Sequence, residues 1–286
     1  MERELWPVLY HLIREVAKDF SQKNVSYQPW VLVSVLLWAA LHDRPLSWAC
    51  QARHWSTTTL RPARIPSPST LSRRLYSVAT GLFLRALEQR LRDHDDPRLV
   101  AFLDGKPLPV SRVSKDKDAK VGRGAGGMAK GYKLHTVWAN RAMPEAWEVT
   151  PLNVQELVAA DRLVGQLSHT GYLLADGNYD SSPLADRAME RTYQLVVPLG
   201  ANAGQGHRYQ SPHRLRNLDL QAGAFGQELY RQRGAIERSY GNATAFAGGM
   251  GPLPAWVRRL PRVRTWVWAK LLINGVRIVR KQRLAA

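Results

Sequence analysis

Three acidic residues stand where carboxylates can do chemistry. Asp104 closes the apolar run Leu99-Val-Ala-Phe-Leu103, and Asp176 closes Gly171-Tyr-Leu-Leu-Ala175. An ionised carboxylate at the end of a buried strand is costly unless a cation or a hydrogen-bond donor compensates it. Two such acids on neighbouring strands would sit side by side, and divalent cations relieve that repulsion best. Each is also followed by glycine, and because Asp-Gly is a common turn dipeptide, either acid alone reads more readily as the start of a loop. The third acid changes the balance. In Glu228–Thr244 a helix advancing about 100° per residue brings Tyr230, Arg233, Glu237, Gly241 and Thr244 onto one narrow, polar face. Gly234 and Gly241 would each weaken that helix by about 1 kcal/mol relative to alanine, so tertiary structure must offset them.

The spacing Tyr230, Arg233, Glu237 resembles the Tyr-x2-Arg-x3-Glu-x6-Lys signature of DDE transposases from bacterial insertion sequences, with Thr244 where the family has lysine. The segments Phe102-Leu-Asp-Gly-Lys-Pro-Leu108 and Leu173-Leu-Ala-Asp-Gly-Asn-Tyr-Asp-Ser181 resemble the family's first and second acid regions. Gly131-Tyr-Lys-Leu-His135 between them is similar too. The likeness spans about residues 98–280. It implies that Asp104, Asp176 and Glu237 hold two Mg²⁺ ions, or Mn²⁺ in their place. Such a pair activates an attacking oxygen and stabilises a leaving 3′ oxygen in phosphodiester hydrolysis and transesterification. It also implies a supporting role for Arg233, as an orienter of Glu237, a phosphate grip or a plain helix ion pair, and for Tyr230, as packing or a bond beside the site. The expected activity is metal-dependent cleavage and strand transfer at transposon ends. A nuclease that cannot join strands, and a decayed or repurposed DNA-binding protein without activity, are the alternatives. With Thr244 lacking the family's charge, Arg238, Lys106 or the C-terminal arginines are the substitutes for that DNA contact.

Other candidates read as structural. Asp180 precedes Ser181, Ser182 and Pro183 and suits a turn or cap. Glu156 and Asp161 fall on a surface helix, and His135 on a polar strand face. His207 and His213 lie in a loop without ligand-like spacing, so no zinc site is expected. Cys50 is the only cysteine, which excludes an internal disulfide and fits a reducing cytosol.

The elements that must position these residues divide near Asp95-Asp96-Pro97. Residues 1–96 read as an all-helical, DNA-binding domain. Leu5, Leu9, Leu12, Ile13 and Val16 recur at helical spacing, and a second helix covers about Pro29 to Leu41. Ser67 or Ser69 then caps a short basic helix carrying Arg73 and Arg74, followed by a helix over Phe83 to Arg92, a layout shared by helix-turn-helix DNA readers and ordinary bundles. Residues 97–286 read as the catalytic domain with C-terminal helices. Strands are expected at Leu99–Leu103, Tyr132–Trp138, Trp147–Pro151, Gly171–Ala175 and Leu195–Pro198, with helices after Asn153, after Ser182 and over Thr265–Arg283. Flexible loops are expected over 111–131 and 200–216. Three strands able to pair as a meander, then alternating helices and strands, match an α/β, ribonuclease H-like mixed sheet flanked by helices.

Charge points to the partner. The 286 residues carry a formal charge of +18, which repels itself unless a polyanion binds. The longest apolar run, Val31–Leu41, has 11 residues, against roughly 20 for a membrane-spanning helix. No signal peptide is expected from the N-terminal pattern. Cations cluster after Asp104 (Lys106, Lys115, Lys120, Lys130 and Lys133 among them), around Arg258–Arg264, and at the C-terminal end. Lys106, Lys130, Lys133, Arg73, Arg74 and Arg238 are the expected DNA contacts. Charge thus favours a nucleic-acid partner and no membrane, and the resemblance implies that this partner is double-stranded DNA, as transposon ends and target. Synapsis of two ends usually takes more than one protomer, which leaves a homo-oligomer on DNA open. The expected location is the bacterial cytoplasm, in association with the nucleoid.

Overall fold

A computed structural model describes residues 2–20, 22–200 and 210–285, and the chain divides into two units. One unit comprises the segment ending at Asp95, Ala243–Trp256 and the chain from Thr265 onward; the other comprises Asp96–Asn242 and Val257–Arg264.

The first unit is helical, with α1 at Glu2–Val16, α2 at Pro29–Leu41, α3 at Leu46–Ala49, α4 at Pro68–Arg74 and α5 at Val78–Arg92. α2 is apolar all round and buried along almost its whole length, as expected for a central helix. Around it the rings of Trp38 and Trp55 stack with centroids 4.7 Å apart, and Trp6 meets both edge-on. Ser67 caps α4 by accepting a hydrogen bond from the Thr70 N–H, with Pro68 in the first turn, as its sequence implied. The long C-terminal helix α11, Leu260–Ala285, departs from expectation. From Thr265 onward it groups with this helical unit rather than with the other one. The reason is a buried face built from Val267, Leu271, Ile273 and Val276 around Lys270. The Lys270 ammonium donates to the carbonyls of Ala40 and Gly248, at 2.6 and 3.0 Å, and pairs with Asp43 at 2.6 Å. No helix among the described residues is long and apolar enough to cross a membrane.

The second unit is built on a mixed sheet. Its strands are β1 at Val100–Pro109, β2 at Lys120–Gly124, β3 at Gly127–Trp138, β4 at Ala146–Pro151, β5 at Gly171–Leu174 and β6 at Tyr193–Val196. β3 pairs antiparallel with β1 on one side and with both β4 and β2 on the other, while β1, β5 and β6 run parallel. Helix α6, Glu156–Val164, connects β4 to β5, and α7, Ser182–Glu190, connects β5 to β6. Alternate residues Ala101, Leu103, Leu173, Ala175, Leu195 and Val197 form a core with Ala160, Leu163 and Val164 of α6 and with Leu184, Ala185 and Ala188 of α7. A three-strand antiparallel meander leading into two parallel strands with intervening helices is the ribonuclease H-like arrangement that the order of elements implied. Helices α8 (Pro212–Ala222), α9 (Ala224–Arg231) and α10 (Ala235–Thr244) follow.

Three expectations change. β1 does not stop at Leu103: its ladder with the twelve-residue β3 continues to Pro109, so Asp104 lies within the strand, opposite Thr136. The stretch 111–131 is not simply a loop, because 120–131 forms a β2–β3 hairpin. The segment carrying Tyr230, Arg233 and Glu237 is not one continuous helix, since a tighter 3₁₀ turn at Gln232–Gly234 separates α9 from α10. Of the expected loop over 200–216, residues 201–209, with His207, lie outside the described residues, and α8 begins at Pro212.

Candidate active site

The two aspartates meet where the sheet ends. β5 pairs with β1 only from Val100 to Phe102, so at Asp104 one side of β1 is no longer covered by a strand. Asp176 lies two residues beyond β5, at the start of a 3₁₀ turn. Both therefore sit at the carboxyl ends of the parallel strands, where open α/β sheets present ligand sites. Asp104 accepts a hydrogen bond from the Gly105 N–H at 2.8 Å. Asp176 accepts from the backbone N–H of Asn178 at 2.9 Å and from its side-chain amide at 3.4 Å. Glu237 lies in the first turn of α10 with its side chain largely exposed.

Arg233 joins the three acids. Its Nη2 lies 3.9 Å from Asp104 Oδ2 and 3.8 Å from Asp176 Oδ2, and its Nη1 lies 3.6 Å from Glu237 Oε1. The two aspartate oxygens can thus be no further apart than those first two distances laid end to end. Among the described residues no group of three or more carboxylate, imidazole or thiol side chains is close enough, as it stands, to hold a metal ion. What the three acids share here is the guanidinium. Burial pushes the Asp104 carboxyl up to about 6; the Gly105 N–H and Arg233 pull it down, while Asp176 and Glu156 add to the push.

A second layer fixes Asp104. Tyr240, buried three residues after Glu237, donates its hydroxyl hydrogen bond to the Asp104 carbonyl at 3.0 Å, and its oxygen lies 2.8 Å from Thr136 Oγ1. The Lys106 ammonium stands over the Tyr240 ring, 5.5 Å from its centroid. Sequence reasoning missed Tyr240, although its i+3 position from Glu237 on a helix was the available signal. Tyr230 is partly buried, and burial raises its phenol above the usual range.

Several other candidates stand differently from their sequence reading. Glu156 is not a solvated surface acid: it pairs with Lys133 at 2.6 Å. Lys133 in turn is no open DNA contact, because strand alternation turns it toward α6 with only 8% of its side chain exposed. Its chain runs past Gly105, where a Cβ would come within 2.9 Å of Lys133 Cδ. His135 is buried, its Nε2 is 3.0 Å from Thr150 Oγ1, and burial lowers its imidazole to about 4. Asp180 is a lock rather than a cap: its oxygens accept two hydrogen bonds from Arg214 (2.7 and 2.8 Å) and one from the Gly200 N–H (2.9 Å), while Ser181 caps α7. Lys130 donates to the Ser114 carbonyl at 2.6 Å. Arg73 and Arg238 are exposed and Arg74 half-exposed. Around Arg258–Arg264, Arg259 and Arg264 pair internally with Asp118 and Glu148.

A family model described as a transposase DDE domain matches residues 95–250. The fold is also similar to a cryo-EM structure of the piggyBac transposase synaptic complex with hairpin DNA, with a TM-score of 0.43 and 9% identity, over 95% of this chain and 71% of that one. No curated protein matches the chain.

Proposed function

The chain belongs to the transposase DDE domain family, and from that premise we propose that it is an insertion-sequence transposase. In this reading Asp104, Asp176 and Glu237 are its catalytic and metal-binding acids. The observation that carries the reading is their convergence: side chains from β1, from the turn after β5 and from α10 all lie within 4 Å of one guanidinium. The donor set suits hard divalent cations such as Mg²⁺ or Mn²⁺, being oxygen throughout. Asp104 supplies the need, since its ionised form is poorly hydrated and the Gly105 N–H, Arg233 at 3.9 Å and Lys106 do not outweigh that burial. Two bound cations would supply activation of the attacking oxygen and stabilisation of the leaving 3′ oxygen.

The chain's own residues place the acids and the phosphate. The Gly105 N–H and Asn178 orient the two aspartates, and Tyr240 anchors β1 at Asp104. Arg233 balances the acids' charge and offers a grip for a phosphate oxygen, as Lys106 and Arg238 also do. With water as the nucleophile the strand is nicked; with a freed 3′ hydroxyl it is joined to target DNA, by the same in-line displacement. The partner is double-stranded DNA, both transposon end and target, and a homo-oligomer would bring two ends together.

Two measurements test this reading. Glu237→Ala should abolish Mg²⁺-dependent cleavage, and full cleavage by that variant would refute the triad. A strand-transfer assay with pre-cut ends should give joined product; hydrolysis alone would leave a nuclease.

A further inference from the structure

The segment read from sequence as a basic loop carries a built surface. Its hairpin rests directly on the backbone of Leu152 and Asn153: a Cβ at Gly122 would lie 2.3 Å from the Leu152 carbonyl oxygen. Its root is pinned. Asp116 accepts hydrogen bonds from the Tyr132 hydroxyl at 2.7 Å and from the Arg259 N–H at 3.0 Å, and Asp118 accepts from the Leu260 N–H at 2.9 Å. Those bonds occupy the two acids of residues 111–131 and leave the segment's cations as its outward charge.

Beyond the root, Arg123 stands opposite Met128 and Val121 opposite Lys130, so these four side chains share one face of the hairpin. Met128 is 67% and Val121 57% exposed. Arg123 is exposed and enters no ion pair among the described residues. A groove of about 720 Å³ runs between this hairpin and the first turn of α6, and Asp104 and Asp176 are among the residues that line it. Gly105, Gly122 and Gly124 also line it, and the space beside the first two is taken by the Lys133 side chain and the Leu152 backbone.

We propose that the β2–β3 hairpin holds the DNA strand being cut. The groove takes the nucleotides next to the phosphate facing Asp104 and Asp176, with Val121 against sugar and base and Arg123 on a neighbouring phosphate, while Met128, opposite Arg123 on the same hairpin face, meets the next sugar or base. A nucleotide offers both an anion and an apolar ring face, and this surface pairs a cation with exposed apolar side chains in the same way. The groove's volume is in the range of sites that enclose groups of that size. The inference rests on the reading that Asp104 and Asp176 face the reacting phosphate.

The test is fluorescence anisotropy with a fluorescein-labelled oligonucleotide, single-stranded and as a duplex, across a salt series in EDTA. Arg123→Gln should weaken binding about tenfold and reduce the salt slope by about one. Met128→Ala should weaken binding and leave the slope unchanged. Arg191→Gln, the same charge change at an exposed position after α7, should leave affinity close to wild type. Circular dichroism confirms that each variant is folded; all three sites are exposed. Wild-type binding by both hairpin variants, or equal losses for Arg123→Gln and Arg191→Gln, would overturn the inference. Cleavage by Asp104→Asn, scored in parallel, separates the two readings: retained cleavage removes the acids' role, whereas unchanged DNA binding by the hairpin variants removes the hairpin's role alone.

Discussion

Replacing Asp104 by asparagine should make the protein more stable at neutral pH while removing its activity. Burial lifts the Asp104 carboxyl from 3.8 to about 6 in the folded protein. At one unit per 1.36 kcal/mol, ionised Asp104 costs the native state about 3 kcal/mol above pH 6. That figure is an upper bound, because 22% of the side chain remains exposed. The sign follows from proton uptake. Below about 3.8 the carboxyl is neutral in both states and nothing is lost. Between 3.8 and 6 the native protein keeps a proton that the unfolded chain releases, so wild-type stability falls as pH rises through that window. Asparagine escapes the loss and can still accept the Gly105 N–H. Urea denaturation followed by tryptophan fluorescence, at about pH 7.5 and near pH 4, measures the difference. The variant should lead by roughly 1–3 kcal/mol at the higher pH and by almost nothing at the lower. Equal or lower stability at pH 7.5 would refute the claim that Asp104 is held in an environment hostile to its charge. Mn²⁺ should narrow the gap by stabilising the wild type alone.

Three further outcomes are expected. Asp180→Asn should destabilise by about 3–5 kcal/mol in urea denaturation by leaving Arg214 buried without its counter-charge, and the double replacement Asp180→Leu with Arg214→Met should recover most of that. Tyr240→Phe should cost about 1–2 kcal/mol of stability and slow cleavage with little change in DNA affinity, since it slackens the strand at Asp104 without touching substrate. DNA affinity should fall steeply and linearly on a log–log plot between low and moderate salt, as expected for a chain of charge +18, and a flat response in titrations would argue against phosphate-dominated binding.

Local signals were legible where a single element decides its own structure. The apolar run Pro29–Leu41 became a buried helix, and Ser67-Pro68 capped a helix as such dipeptides do. Apart from β2, the strand and helix order of residues 98–198 was readable, with β5 and β6 plain as short apolar runs bounded by turns. What failed depended on partners distant in sequence. Nothing in Asp104-Gly-Lys-Pro-Leu-Pro109 announces a strand; its ladder exists because β3 is long enough to reach it. Lys120-Val-Gly-Arg-Gly124 has no alternating pattern and is ordered by pairing with β3 and by close contact at Leu152. Nothing local marks Lys270 as a core residue; three convergent oxygens from remote segments make it one. Glu156 looked solvated for the complementary reason, that its partner Lys133 lies on a strand that faces inward.

The uncovered side of β1 has a consequence for solubility. Exposed strand borders invite sheet extension by another molecule, the usual route to aggregation. The Val110 N–H bonds to Lys130 of β3, so by alternation residues 105, 107 and 109 turn their backbone the other way. There the Gly105 amide is already taken by its neighbour's carboxylate, and positions 107 and 109 are prolines with no amide hydrogen to give. A foreign strand arriving here finds no donor to begin zipping. The border nearest the acids thus lies uncovered and still refuses a peptide strand.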